Sequence, residues 1–267
     1  MCFVMDNRAI PKIIHYTWFS DEPFPARVQE CMESWHRMMP DWEFRLWDRV
    51  SLEKLDSCWL AETLKVGKWA FASDYVRLYA VYHFGGIYLD TDVVVYNSFE
   101  PLLSEEAFIG REGAIHIGYC SRTEVFLGSH CFGARKGNDY IRMCLDYYDK
   151  RHFILSENED LPVKLRYDMT ILPVIQGEIA KSMGYSSSVF TNCLQRCGSV
   201  NIYPDYFFNA GTLSEDSYCR HLALGSWRED NPVDGIQYNL SYKIKWRVVR
   251  ILKIIMDRLG YLIVKKV

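Results

Sequence analysis

No window of the chain reaches the roughly 18 uninterrupted apolar residues that a membrane-spanning helix requires, and none of its nine cysteines forms a C-x-x-C pair. The first absence excludes an integral helical membrane protein. The second, with the nearest cysteines at Cys193 and Cys197 and the total odd, argues against a disulfide framework or a zinc ribbon, so reduced core thiols are expected. The opening MCFVMDNRAIPK has no basic flank running into an apolar stretch, which predicts a chain that is not secreted and a cytoplasmic location. Sixteen glycines and nine prolines in 267 residues are ordinary usage, and there is no internal repeat. Low-complexity and fibrous classes are thereby excluded. What remains is a globular chain, 49% hydrophobic and 15% aromatic, near the upper size for one core.

The elements alternate over the first hundred residues. IPKIIHYTWF (10–19) reads as a buried strand. Residues 25–39 read as a helix with Pro25 in the first turn, DWEFRLWD (41–48) as a strand with one wet face, and 68–84 as a helix stopped by Gly85-Gly86. This order predicts an α/β fold with a largely parallel sheet, whose ligands gather beyond the carboxyl ends of the strands. Strands are expected at AFIGRE and HCFGARKG, and helices over 138–151 and 168–183. VNIYPDYFFNA and HLALGSW read as strand-to-loop passages.

GGIYLDTDVVVY (85–96) poses the chemical question. If it is a strand, Asp90 and Asp92 project to one side and Thr91 to the other. Two adjacent carboxylates repel and are costly to bury. A divalent cation, Mn²⁺ or Mg²⁺, answers that cost; a strand ending in solvated acids is the alternative. On the preceding helix, Asp74 and Arg77 share a face within WAFASDYVRLYAVYHF, too apolar for both to reach water.

IPKIIHYTWF, SWHRMMPDWEFRLWD, KWAFASDYVRLYAVYHFGGIYLDTDV and FEPLL, in that order over residues 10–104, resemble the sugar-binding D-x-D region of family 32 of the glycosyltransferases. The likeness is to the bacterial capsular-polysaccharide type, similar in turn to fungal Golgi mannosyltransferases and the glucosylating domains of large toxins. HLALGSW is a second match. The resemblance implies a GT-A type, Rossmann-like mixed sheet flanked by helices, a nucleotide-sugar donor with uridine and a hexose (guanosine with mannose is the alternative), and transfer with retention. Asp92 would ligate the metal, and Asp90 would reach the donor ribose or sugar and the metal. Asp74 and Tyr88 would bind the donor, with Arg77 orienting the sugar. Trp18 would stack on the base, Ser226 and Trp227 would cover the diphosphate as a lid hinged at Gly225, and His221 would complete the metal or phosphate contacts. Glu112 and Asp168 are candidates for acceptor or sugar contacts. No carboxylate announces itself as a nucleophile, which favours displacement on one face of the sugar. The family's asparagine segment after the metal strand is replaced by FLGSHCFGARKGN, with Ser129 and His130.

The chain divides into a catalytic domain, 1–235, and a basic tail, 236–267. Residues 242–267 carry eight Lys or Arg against Asp257, a net of +7 in a chain totalling −3, so the body carries −10. Ile244, Val248, Ile251, Ile255, Leu259 and Leu262 fall on one helical face, opposite Lys243, Arg247, Arg250, Lys253 and Arg258. Such a C-terminal basic amphipathic helix suits an anionic membrane surface, which would bring the site to a glycan or polyprenyl-diphosphate-linked acceptor at the inner face of the membrane. A helix docked on the domain is the alternative. A protein acceptor, or a degenerate binding protein, are competing functions; the acidic body argues against nucleic acid.

Overall fold

Ile13 to Thr17 form β1, an inner strand of the sheet whose Ile14, His15 and Tyr16 are all buried. The computed structural model describes residues 9–112, 126–188, 191–209 and 214–225. The expected helix of the tail, Ser226 and Trp227 fall outside these ranges. After β1 the chain enters α1 (Ala26–Met38) behind Pro25, buries Val28, Cys31 and Trp35 at helical spacing, and returns as β2 (Glu43–Trp47), parallel to β1. Two further helices, α2 (Arg49–Leu52) and α3 (Cys58–Lys65), lead to α4 (Trp69–Phe84). Every residue of α4 from Phe71 to Leu78 is buried, Asp74 and Arg77 included, as a helix apolar on all sides demands.

The end of α4 is set by backbone geometry. Gly85 has φ 67° and Gly86 φ 105°, a region that residues with a Cβ enter only at a cost. A methyl group on Gly86 would also come within 2.7 Å of the Ile13 carbonyl oxygen. The pair therefore turns the chain directly into β3 (Gly86–Leu89), parallel to β1. His15 fastens the turn. Its Nδ1 accepts from Trp47 Nε1 at 3.2 Å, so the proton sits on Nε2 and is donated to the Gly85 carbonyl at 2.8 Å. Burial lowers its pKa to about 4, which keeps the ring neutral.

Beyond β3 come β4 (Val93–Val95), a 3-10 turn at Glu100–Leu102, β5 (Ala107–Arg111) and β6 (Leu127–Ala134). The helices α5 (Asp139–Asp146), α6 (Val163–Arg166) and α7 (Leu172–Ser182) follow. The last elements are β7 (Gln195–Cys197), β8 (Val200–Tyr203), α8 (Asp205–Phe208) and β9 (Cys219–His221). Seven strands make one sheet in the order β2-β1-β3-β6-β5-β8-β7, and β4 pairs with β9 in a separate ribbon.

The α/β class expected from the sequence is what forms, and the sheet is mixed. Its parallel part is β2-β1-β3, the product of the first hundred residues; β6 is antiparallel to both β3 and β5, and β8 is parallel to β5. Successive residues of β3 serve opposite faces. Tyr88 belongs to a core cluster that also takes in Trp59 of α3, Val76 of α4, Tyr140 of α5 and Leu172 of α7. Ile87 and Leu89 belong to a second cluster, with Trp35 of α1, Phe99 and Phe208 of α8. All seven cysteines among the described residues are free thiols, five buried and two, Cys58 and Cys193, exposed.

Candidate active site

β3 ends one residue before the first aspartate. The Asp90 amide still bonds to the His130 carbonyl of β6 at 2.9 Å, but the Asp90 carbonyl accepts the Val93 amide at 3.1 Å, closing a turn over residues 90–93. The two acids thus sit in a turn between β3 and β4, not on a continuous strand as the alternation suggested. They converge nonetheless. The strand β9, whose His221 is in register with Val93, runs beside the turn, and the Leu222 amide bonds to the Asp92 carbonyl at 3.0 Å. One ligand atom from each of Asp90, Asp92 and His221 lies within 4.8 Å of the others.

The acids are held before any ligand arrives. Asp92 Oδ2 accepts the Leu224 amide at 2.8 Å, and its Oδ1 lies 3.1 Å from His221 Nε2. Burial works against the Asp92 charge, but the adjacent imidazolium and the Leu224 amide outweigh it and hold the carboxyl below the usual range. Burial also works against a charged His221, yet Asp92 and Asp90 together raise its pKa to about 9. A histidine Nε2 aimed at two carboxylates is a proton site without a cation and a ligand site with one.

Arg77 joins Asp74 to Asp90. Its Nη1 lies 3.2 Å from Asp90 Oδ1 and donates to the Ser129 carbonyl at 2.9 Å; its Nη2 donates to Ser73 Oγ at 2.9 Å and lies 3.4 Å from Asp74 Oδ1. The guanidinium also lies over the Tyr88 ring, 4.6 Å from its centroid. Asp74 is buried, which raises its pKa to about 6 although Arg77 and the Leu172 amide pull the other way. Its Oδ2 accepts that amide at 3.1 Å, serving the first turn of α7, where Ile171 has no side-chain acceptor to offer.

Tyr88, expected to bind the donor, is wholly buried, and its hydroxyl donates to Asp90 Oδ1 at 2.9 Å. It closes a triangle with Thr17 and Ser73, whose hydroxyls lie 3.1 and 3.0 Å from it and 2.9 Å from each other. Trp18 follows the carboxyl end of β1, half-buried, with its ring against Phe24 at 4.9 Å and its Nε1 donating to the Glu22 carbonyl at 3.0 Å. Asp168 stands apart from this cluster, with Oδ2 3.4 Å from Arg151 and Oδ1 accepting the Thr170 amide. Glu112 lies 3.3 Å from His130 Nδ1, and His130 stacks on His221. Asp74, Arg77, Tyr88, Asp90, Asp92 and His221 are therefore brought together. Thr17, Ser73, the Ser129 carbonyl and the Leu224 amide were not anticipated, since small hydroxyls and backbone groups carry no sequence signal.

Residues 25–109 match the family described as a glycosyltransferase sugar-binding region containing the DXD motif. An inositol phosphoceramide mannosyltransferase of Schizosaccharomyces pombe is 35% identical over 146 residues, 53% of this chain and 40% of that protein. A mannosyl phosphorylinositol ceramide synthase of Saccharomyces cerevisiae is 30% identical over 112 residues, 40% of this chain and 29% of that one. The matches thus span less than half the length of these relatives. Among solved structures, the glycosyltransferase PaToxG aligns with a TM-score of 0.46 and 18% identity, over 66% of this chain and 70% of that one. The matched segment, residues 25–109, is similar to the glycosyltransferase sugar-binding regions that contain the DXD motif, and it carries Asp74, Arg77, Asp90 and Asp92.

Proposed function

We propose that the chain is a divalent-cation-dependent glycosyltransferase that moves a hexosyl group from a nucleotide sugar to a glycan or lipid-linked acceptor, with retention of configuration. The observation that carries this reading is the convergence of Asp90 and Asp92, from the turn after β3, with His221 of β9. Two carboxylates and one imidazole form a donor set suited to Mn²⁺, and by their oxygens to Mg²⁺. When bound, such a cation would offset the negative charge growing on the departing diphosphate.

The chain's own residues do the positioning. Tyr88 and Arg77 fix Asp90, and the Leu224 amide fixes Asp92, so the carboxylates need little reorganisation on binding. Arg77 supplies the charge that lets the buried Asp74 and the half-buried Asp90 lie close together. We assign Asp74 to the donor sugar and Trp18 to the base; the support for the latter is its position just past the carboxyl end of β1, where a parallel sheet gathers its ligands. The bond from the acceptor oxygen to the anomeric carbon would form on the face from which the phosphate leaves, with the acceptor proton passing to a phosphate oxygen. That route asks for no nucleophile from the protein.

Uridine with a hexose is the donor that the family resemblance implies. Guanosine diphosphate mannose is a second reading, favoured by the mannosyl transfer for which both fungal relatives are named. A thermal-shift screen of UDP- and GDP-hexoses separates them. One donor is expected to raise Tm by several degrees with Mn²⁺ and not with EDTA, since a ligand at a hundred times its Kd adds about 2.7 kcal/mol to the folded state. No shift with any nucleotide sugar would sink the proposal.

For the acceptor, we infer a lipid-linked glycan of a surface polysaccharide, reached by a peripheral enzyme on the cytoplasmic face. The support is the basic pattern of 242–267 and the phosphoceramide in the relatives' names. Among the described residues no helix is long and apolar enough to cross a membrane. With residues 236–267 as an appendage to the 1–235 domain, the full chain is expected to co-sediment with vesicles containing phosphatidylserine, and a chain ending at 235 to stay in solution. Equal behaviour of the two would remove the tail from the reading and favour a protein acceptor.

A further inference from the structure

The two carboxylates do not by themselves fix the ring of His221. The last torsion of a histidine side chain is soft, so the plane of the ring is set by what it lies against. It lies against a second imidazole: His130 of β6 stacks on it with centroids 4.7 Å apart and planes inclined by 15°. His130 is itself buried, with a hydrogen-bond partner at one edge and a carboxylate facing the other. Its Nε2 lies 3.1 Å from the Phe208 carbonyl, and its Nδ1 lies 3.3 Å from Glu112 Oε1. Glu112 is in turn held by Asn209, whose Nδ2 donates to Oε2 at 2.9 Å, and by its own amide bond to Phe126. On a further side the ring abuts Gly128, where a methyl group would come within 2.7 Å of His130 Cε1. The backing ring thus has little freedom to turn.

Resting on the cation site proposed above, we propose that His130, clamped between Glu112 and the Phe208 carbonyl, is a positioning residue that fixes the ring plane of His221 and aims its Nε2 at the point shared with Asp90 and Asp92. His130 acts only through the ring stacked on it. Residues that orient a metal-ligating histidine from behind alter affinity without touching the ion.

The test is calorimetric titration of Mn²⁺ alone into the full chain, as wild type and as His221→Ala, His130→Ala, Gly128→Ala and Glu112→Gln. His130→Ala, which removes the backing ring, and Gly128→Ala, which displaces it and removes no side chain of the site, are each expected to weaken Mn²⁺ by about tenfold or more. Glu112→Gln should fall between them and wild type. In a His221→Ala background, His130→Ala should add no further loss, because the ring it orients is gone. At saturating Mn²⁺ the kcat of Gly128→Ala should return towards wild type. Wild-type affinity in a folded His130→Ala or Gly128→Ala, or an equal loss with and without His221, would overturn the assignment. If His221→Ala weakens Mn²⁺ while both of those variants bind normally, the positioning role alone falls; if wild type binds no Mn²⁺, the cation site falls and takes this role with it.

Discussion

Asp92→Ala is expected to lower metal-dependent donor hydrolysis and transfer by at least about a thousandfold, some 4 kcal/mol of transition-state stabilisation. The size follows from how much one carboxylate does. Asp92 is the shortest link between the turn and β9: its Oδ1 faces His221, its Oδ2 takes the Leu224 amide and its carbonyl takes the Leu222 amide. The substitution spares the last contact and removes the other two, so it deletes one ligand and loosens a second, His221, together with the backbone that leads towards Gly225. Asp92→Asn divides these effects. The amide can still accept from Leu224, and it forfeits the charge; a loss nearly as large as for alanine would assign the effect to charge, not to loop anchoring. The assay is donor hydrolysis with Mn²⁺, repeated in EDTA. If either variant keeps wild-type rates, or if wild type is indifferent to EDTA, the carboxylates do not act through a cation.

Much of this site could be read in the sequence because its signals are local. A helix too apolar to face water, a glycine pair that only a tight turn requires, and two acids two residues apart all lie within residues 69–92, and the structure joins them as that order implies. What escaped notice depends on partners far along the chain. The aspartates read as part of a strand because Tyr88-Leu89-Asp90 continues its alternation; the turn exists because β4 leaves the main sheet to pair with β9. Strands as short as β7 and β9 have no pattern of their own and are defined by their neighbours. The crossover to antiparallel pairing at β6 was equally hidden, since direction within a sheet depends on the route of the connection and not on the strand's residues. The helix expected over 168–183 begins at Leu172, with Pro173 in its first turn and Asp74 of a distant helix bonding its first amide. His130 drew attention only as a departure from the family's asparagine, and nothing local reveals that it backs His221.

Arg77→Leu is expected to destabilise the protein by about 3–5 kcal/mol, lowering Tm by roughly 10 °C for a chain of this length. The guanidinium is almost fully buried and faces Asp74, Asp90, the Ser73 hydroxyl and two backbone carbonyls. Leucine fills part of its volume and leaves the buried Asp74 and the half-buried Asp90 without the cation that lay between them. Lysine is not expected to rescue the loss, because one ammonium cannot span Asp74, Asp90 and the Ser129 carbonyl as a planar fork does. The deficit should depend on pH with a definite sign. Burial already sets the Asp74 pKa at about 6, above its unfolded value, against the pull of Arg77; without that pull it rises further. A group whose pKa is raised by folding contributes stability in full below its unfolded pKa and loses it as pH rises through the folded one. The variant should therefore lie furthest below wild type above pH 6 and approach it towards pH 4, where Asp74 is protonated in both. Thermal unfolding followed by circular dichroism between pH 4 and 8 measures this. A deficit that does not change with pH would mean that Arg77 is held there for its packing alone, and the electrostatic link from Asp74 to Asp90 would have to be abandoned.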